Sequence, residues 1–254
     1  MQRNLVSGLW LVLVSASAAA ILLLSAAAAS SPRASELGAF QATFAEAWAH
    51  YRQVSFYAGR AGNVDVAALE LEDFITKWSA LEAKYRGNPP DAFSDDAAWM
   101  ETLEDVGSRA RDGLDRLDAG DLDGARALLM PIRGIMGDLR RRNGIATYSD
   151  RIDELTAEMT VLARYRREVK ELDDSAAVAM VTRQAAVVAY LFERCAEEAP
   201  AAVAQDPEFK RQIEGGRESF AKLWKALETG DARLYRISIG ELRSYERILF
   251  FRFG

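Results

Sequence analysis

Sliding the sequence along itself by 110 residues carries Gly120-Asp121 onto Gly230-Asp231 and brings a long, ungapped series of matches with it. Asp96 falls on Asp206, Trp99 on Phe209, Glu104 on Glu214 and Leu117 on Leu227. Arg126 meets Arg236, Arg133 meets Arg243, Leu139 meets Leu249, Arg142 meets Arg252 and Gly144 meets Gly254; upstream, Pro90 meets Pro200. A shared register over that span predicts one structural unit used twice, because each copy must then satisfy the same turn and core constraints. The chain has 254 residues, room for two modest domains.

Hydrophobic spacing names the unit. Leu37, Phe40, Phe44, Trp48, Tyr51, Val54 and Ala58 step by three and four, one stripe of a helix. Phe74, Trp78, Leu81 and Tyr85 form a second stripe, which ends at Pro89-Pro90. Trp99, Leu103, Val106, Ala110 and Leu117 form a third; Leu122, Ala125, Leu129, Ile132, Met136 and Leu139 a fourth. Asp65 and Asp95 or Asp96 are expected as N-caps, Gly120 as a left-handed turn residue and Asp121 as the cap that follows at once. Pro131 should bend the fourth helix. The second half repeats the series: Ile152 to Leu172, about Ala176 to Glu198, Asp206-Pro207 onward, and Tyr235 to Leu249. A lone helix cannot bury its stripe, whereas four together can. The expectation is all-α: two tandem antiparallel four-helix bundles, 35–144 and 145–254, related by an internal repeat, behind an N-terminal segment 1–34.

That N-terminal segment sets the expected compartment. Arg3 precedes an uncharged run from Leu9 to Ala29, and Ala26 to Ser30 offers small residues to a signal peptidase. About 20 apolar residues can also span a bilayer, so residues 5–29 can instead stay as an anchor. Both readings place the remainder outside the cytoplasm, in the periplasm. With a net charge of −6 the chain has no electrostatic case for nucleic acid, and it meets a membrane only through an uncleaved N-terminal segment.

Candidate chemistry is sparse. His50 is the single histidine, on the flank of the first stripe beside Tyr51; metal ligation is its sharper reading, a partly exposed helix residue the plainer one. Cys195 permits no intramolecular disulfide and falls on an inner stripe, which predicts a buried, inert thiol. Met100, Met130, Met136, Met159 and Met180 are scattered with no Met-x-x-Met pair and read as core filling. No phosphate loop, calcium loop or nucleophile elbow occurs. The expectation is a non-enzymatic protein without catalytic residues or cofactor, whose partner is an unidentified protein or small-molecule ligand. Haem or metal handling through His50, and a membrane-anchored sensory or scaffold role, are the alternatives.

Pro89-Pro90, Asp96 before Trp99, the Gly120 hairpin followed by Ala125, and the arginine-rich helix ending at Arg140-Arg141-Arg142 together resemble the periplasmic four-helix cytochromes. The likeness is to the small soluble b-type cytochrome and to cytochrome c-prime. It implies an exported helical bundle. The b-type ligand places, a histidine on the last helix and a methionine on the first, fall on Arg140 and about Tyr51. No Cys-x-x-Cys-His run of the c-prime kind is present. The resemblance therefore implies the fold without supplying the haem ligands.

Overall fold

The computed structural model describes residues 32–61 and 63–254; the export segment expected at residues 5–29 lies outside them. The described residues are helical with no strand, an all-α chain. In order come α1 (Pro32–Phe56), α2 (Val64–Tyr85), α3 (Trp99–Asp118), α4 (Leu122–Leu129), α5 (Pro131–Arg142), α6 (Tyr148–Glu168), α7 (Ser175–Glu197), α8 (Ala201–Gln205), α9 (Pro207–Thr229) and α10 (Ala232–Phe253). A π turn, Tyr57–Ala61, extends α1, and a 3-10 turn, Asp91–Phe93, precedes α3.

Local chemistry sets these boundaries. Asn63, rather than Asp65, caps α2 by accepting the amide of Val66; Asp65 sits in the first turn, where its charge suits the helix dipole. Asp96 acts three residues before the start of α3: its carboxylate takes the Ala98 amide, while Ala98 holds the cap position. Gly120 and Gly230 adopt φ of 73° and 71°, the left-handed region that favours glycine. Asp121 and Asp231 then accept the amides of Gly124 and Leu234, each at 2.8 Å. Pro90 and Pro200 share one conformation, φ −54° and ψ 148° against φ −53° and ψ 147°, and each starts a short helical turn.

In the first half α1 packs on α2, α2 on α3, and α3 on α4 and α5. In the second, α6 packs on α7 and α10, and α9 on α7 and α10. The expected stripes supply the core: Phe74, Trp78, Leu103, Leu129 and Tyr235 are among its fully buried side chains. Burying each such side chain is worth roughly 1.5–3 kcal/mol. Indole N–H groups join elements within this core, Trp78 to the Leu103 carbonyl at 3.0 Å and Trp99 to the Tyr85 carbonyl at 2.9 Å. The methionine expectation holds only in part. Met136 and Met159 are buried, but Met100 is exposed because it falls opposite the stripe of α3, and Met130 is exposed in the break between α4 and α5.

Pro131 does more than bend its helix. It separates α4 from α5, and the hydroxyl of Tyr51 occupies the gap. An unbroken helix would bond the Arg133 amide to the Leu129 carbonyl. Instead the Tyr51 Oη accepts from that amide and donates to that carbonyl, both at 3.1 Å. A side chain inserted into the backbone ladder is a known cause of a helix break. In the other half α10 has no proline and runs unbroken.

Candidate functional site

The two halves meet where α1, α5, α6 and the end of α10 converge. The apolar tail of α10 seals this seam: Phe251 lies 4.6 Å from Phe56, and the Arg133 guanidinium stacks 3.6 Å above Phe250. Beneath them lies a buried ionic cluster. Arg140, only 7% exposed, holds Asp150 Oδ1 through Nε at 2.8 Å and Nη2 at 2.6 Å, and reaches Asp153 at 3.5 Å. Arg133 pairs with Asp153 and donates to the Thr156 hydroxyl at 3.0 Å. Thr156 in turn bonds the carboxyl of Glu246, which is 5% exposed.

Burial raises the pKa of all three acids, and the outcome differs with their partners. For Asp150 the upward push is outweighed by the two Arg140 bonds and by the amide and hydroxyl of Thr147, so its carboxyl stays below the usual range. For Asp153 burial wins over Arg133 and Arg140, and its pKa rises. For Glu246 burial wins over Thr156, Arg133, Arg247 and Arg243. The Thr156 hydroxyl lies within reach of both the Ile152 carbonyl, at 2.8 Å, and the Glu246 carboxyl.

The sequence-expected site residues are not brought together. His50 lies on the outer flank, its Nδ1 2.8 Å from Glu70 and 3.8 Å from Asp73, tying α1 to α2. Among the described residues no group of three or more histidine, cysteine, aspartate or glutamate side chains is arranged to hold a metal ion. Tyr51 is committed to the α4–α5 gap, and burial pushes its phenol up to about 12. Arg140 is committed to Asp150. Cys195 is fully buried, and burial pushes its thiol up to about 12.

Two clefts flank the seam, and Arg52 borders both. The first, about 350 Å³, is walled mainly by Phe40, Phe44, Trp48, Met136, Tyr148 and Phe253. The second, about 370 Å³, brings Arg52 together with Arg126 and Arg247 beside Phe250 and Phe251. Neither is lined by an aspartate or glutamate, although the chain as a whole is acidic.

The arginines differ in what already holds them. Arg126 donates to the carbonyls of Ala58 and Gly59 and pairs with Asp123. Arg236, its counterpart 110 residues on, likewise donates to a backbone carbonyl, that of Lys170, just past the end of α6. Arg52 donates through Nη1 to a terminal oxygen of Gly254 at 2.6 Å and to the Arg252 carbonyl at 3.3 Å, closing the negative end of α10. Its Nε is buried without an acceptor. Two more unpartnered buried atoms, Trp48 Nε1 and Ser149 Oγ, belong to residues in the wall of the first cleft. Burial lowers the pKa of Arg52.

Sequence reasoning passed over Arg52. A signal was present: the positions three and four residues away on α1 are Trp48, Ala49, Ser55 and Phe56, none of them acidic, so no partner on its own helix was available. No family model matches this chain, and no solved structure matches it.

Proposed function

We propose that this is an exported, non-enzymatic binding protein of the periplasm, built as two tandem antiparallel four-helix bundles, 35–144 and 145–254, that are copies of one unit. Its binding site is the apolar cleft between them. The duplication is supported by helix bounds under the 110-residue shift: α2 (Val64–Tyr85) overlays α7 (Ser175–Glu197), α3 (Trp99–Asp118) overlays α9 (Pro207–Thr229), and α4 with α5 overlays α10. Export rests on the N-terminal sequence pattern of residues 5–29. On this reading the bundles keep the frame of the four-helix cytochromes, while the places of the haem ligands serve structure, Tyr51 in a helix gap and Arg140 in an ion pair.

The observation that carries the binding role is the apolar cleft of about 350 Å³, with three buried polar atoms of its wall residues, Trp48 Nε1, Arg52 Nε and Ser149 Oγ, left without a partner. Small-molecule sites combine such an apolar wall with a few placed polar groups. Protein purified from its own host, denatured and extracted for mass spectrometry, should yield one organic molecule in near-stoichiometric amount. An empty extract, together with no thermal stabilisation by any member of a small-molecule panel, rules the reading out.

A further inference from the structure

Resting on the reading of the first cleft as a small-molecule site, we infer that its ligand is uncharged and accepts hydrogen bonds: a ring-bearing ketone, quinone or ester that lies against Phe40, Phe44 and Phe253 and takes the indole N–H of Trp48.

Charge sets the first condition. Arg52 and Arg140 are the cationic side chains of the wall, and both are already answered. Arg52 Nη1 lies 2.6 Å from a terminal oxygen of Gly254, in the same wall, and Arg140 holds Asp150 through Nε at 2.8 Å and Nη2 at 2.6 Å. No cation is left over for an anionic ligand. The wall has no aspartate or glutamate side chain to receive an ammonium group either. An ion entering this apolar enclosure would lose its hydration without gaining a counter-charge. An uncharged molecule avoids that cost.

Hydrogen-bonding capacity sets the second condition. Two wall hydroxyls are engaged, Tyr148 with the Cys195 carbonyl and Thr147 with Asp150, each at 2.9 Å. Three buried polar atoms of wall residues are not: Trp48 Nε1, Arg52 Nε and Ser149 Oγ. Indole and guanidinium nitrogens can only donate, and a serine hydroxyl can do either. Trp48 and Arg52 stand four residues apart on α1 and so share one face of that helix. Trp78 and Trp99, the other buried indoles among the described residues, each donate to a backbone carbonyl. Trp48 is 4% exposed and breaks that pattern. Folded proteins rarely keep a buried donor without an acceptor. The complement to this wall is therefore an acceptor oxygen, brought by whatever occupies the cleft.

The rings select the body. Phe40, Phe44 and Phe253 offer faces and edges on which a flat ring packs well. At about 350 Å³ the cleft lies at the small end of ligand pockets, which suits one or two fused rings.

The test uses the full chain, freed of bound lipid, and titrates four naphthalenes of like size by calorimetry: 2-acetylnaphthalene, 2-ethylnaphthalene, 2-naphthoate and 2-naphthylmethylammonium. The ketone is expected to bind one to one and about tenfold tighter than the hydrocarbon, with both ions weaker than the ketone. Its carbonyl stretch, read by isotope-edited infrared spectroscopy, should fall on binding below its value in hexane. In Trp48→Phe the ketone should lose its advantage over the hydrocarbon, and the stretch should move back towards the hexane value. The infrared shift on the unaltered chain keeps the inference falsifiable if Trp48→Phe folds poorly. Ala45 is exposed on the rim, so Ala45→Trp can obstruct the cleft without entering the core and should weaken ketone and hydrocarbon alike. Equal binding of ketone and hydrocarbon with no infrared shift, or tighter binding of either ion, overturns the ligand class while the cleft remains a binding site. A host extract that holds a charged ligand does the same. No binding of any probe, together with an empty extract, removes the binding reading too.

Discussion

The hydroxyl of Tyr51 and the backbone amide of Arg133 are joined by a 3.1 Å hydrogen bond that spans two helices and 82 positions of sequence. The same hydroxyl donates to Leu129, so one tyrosine from α1 stands in for the backbone bond missing at the α4–α5 break. Arg133 is thereby fixed at the seam, where its side chain pairs with Asp153 and covers Phe250. The join between the halves and the interior of the first half share this residue.

Removing that hydroxyl should be costly. In Tyr51→Phe the ring still fits, but the Arg133 amide and the Leu129 carbonyl lose their partner in a fully buried place. An unsatisfied buried group costs about 1–3 kcal/mol. At about 2–4 °C per kcal/mol for a chain of this size, the melting temperature should fall measurably. An unchanged melt would mean that the two backbone groups bond each other directly once the hydroxyl is gone.

The Gly-Asp turns should respond to backbone strain alone. No atom lies within 4 Å of a Cβ built on Gly120 or Gly230, so a substituted side chain meets open space. Gly120→Val and Gly230→Val should each cost about 1–2 kcal/mol through the left-handed φ. Asparagine tolerates that region better and should cost less at both sites. Denaturant melts of the four variants test the ranking; equal losses for valine and asparagine would contradict it.

Glu246 should make stability fall as pH rises. Its folded pKa is raised above the unfolded value, chiefly by burial, so the folded chain holds a proton that the unfolded chain releases first. Stability is therefore greatest below the ordinary glutamate pKa, about 4.3, and is lost as pH climbs towards the folded value. Asp153 acts in the same direction, Asp150 in the opposite one. Glu246→Gln keeps an oxygen acceptor for the Thr156 hydroxyl and removes the titrating carboxyl. It should raise the melting temperature at pH 7 and flatten the profile over that window. A slope unchanged in the variant would assign it to other groups.

The end of α10 should matter to both halves. Deleting residues 250–254 removes the Phe251–Phe56 and Phe253–Phe209 ring contacts and the oxygens of Arg252 and Gly254 that hold Arg52. The truncated protein should melt lower. An identical melting curve would show that the α10 tail does not fasten the seam.

Much of the architecture was legible one residue at a time. Gly120 and Asp121 write the turn between α3 and α4, since left-handed backbone and side-chain capping are local properties. The three- and four-residue steps from Phe40 to Val54 mark the buried face of α1, and Asp206-Pro207 marks the start of α9 for the same local reason. Pro131 announced a disturbance, but its outcome depended on Tyr51, a residue 80 positions away. The cleft, the contact of Arg52 with Gly254 and the raised pKa of Glu246 exist only in three dimensions. Each depends on which carboxylates, carbonyls and rings distant segments bring within a few ångströms, and electrostatic and hydrogen-bond energies act over that distance in space whatever the separation in sequence.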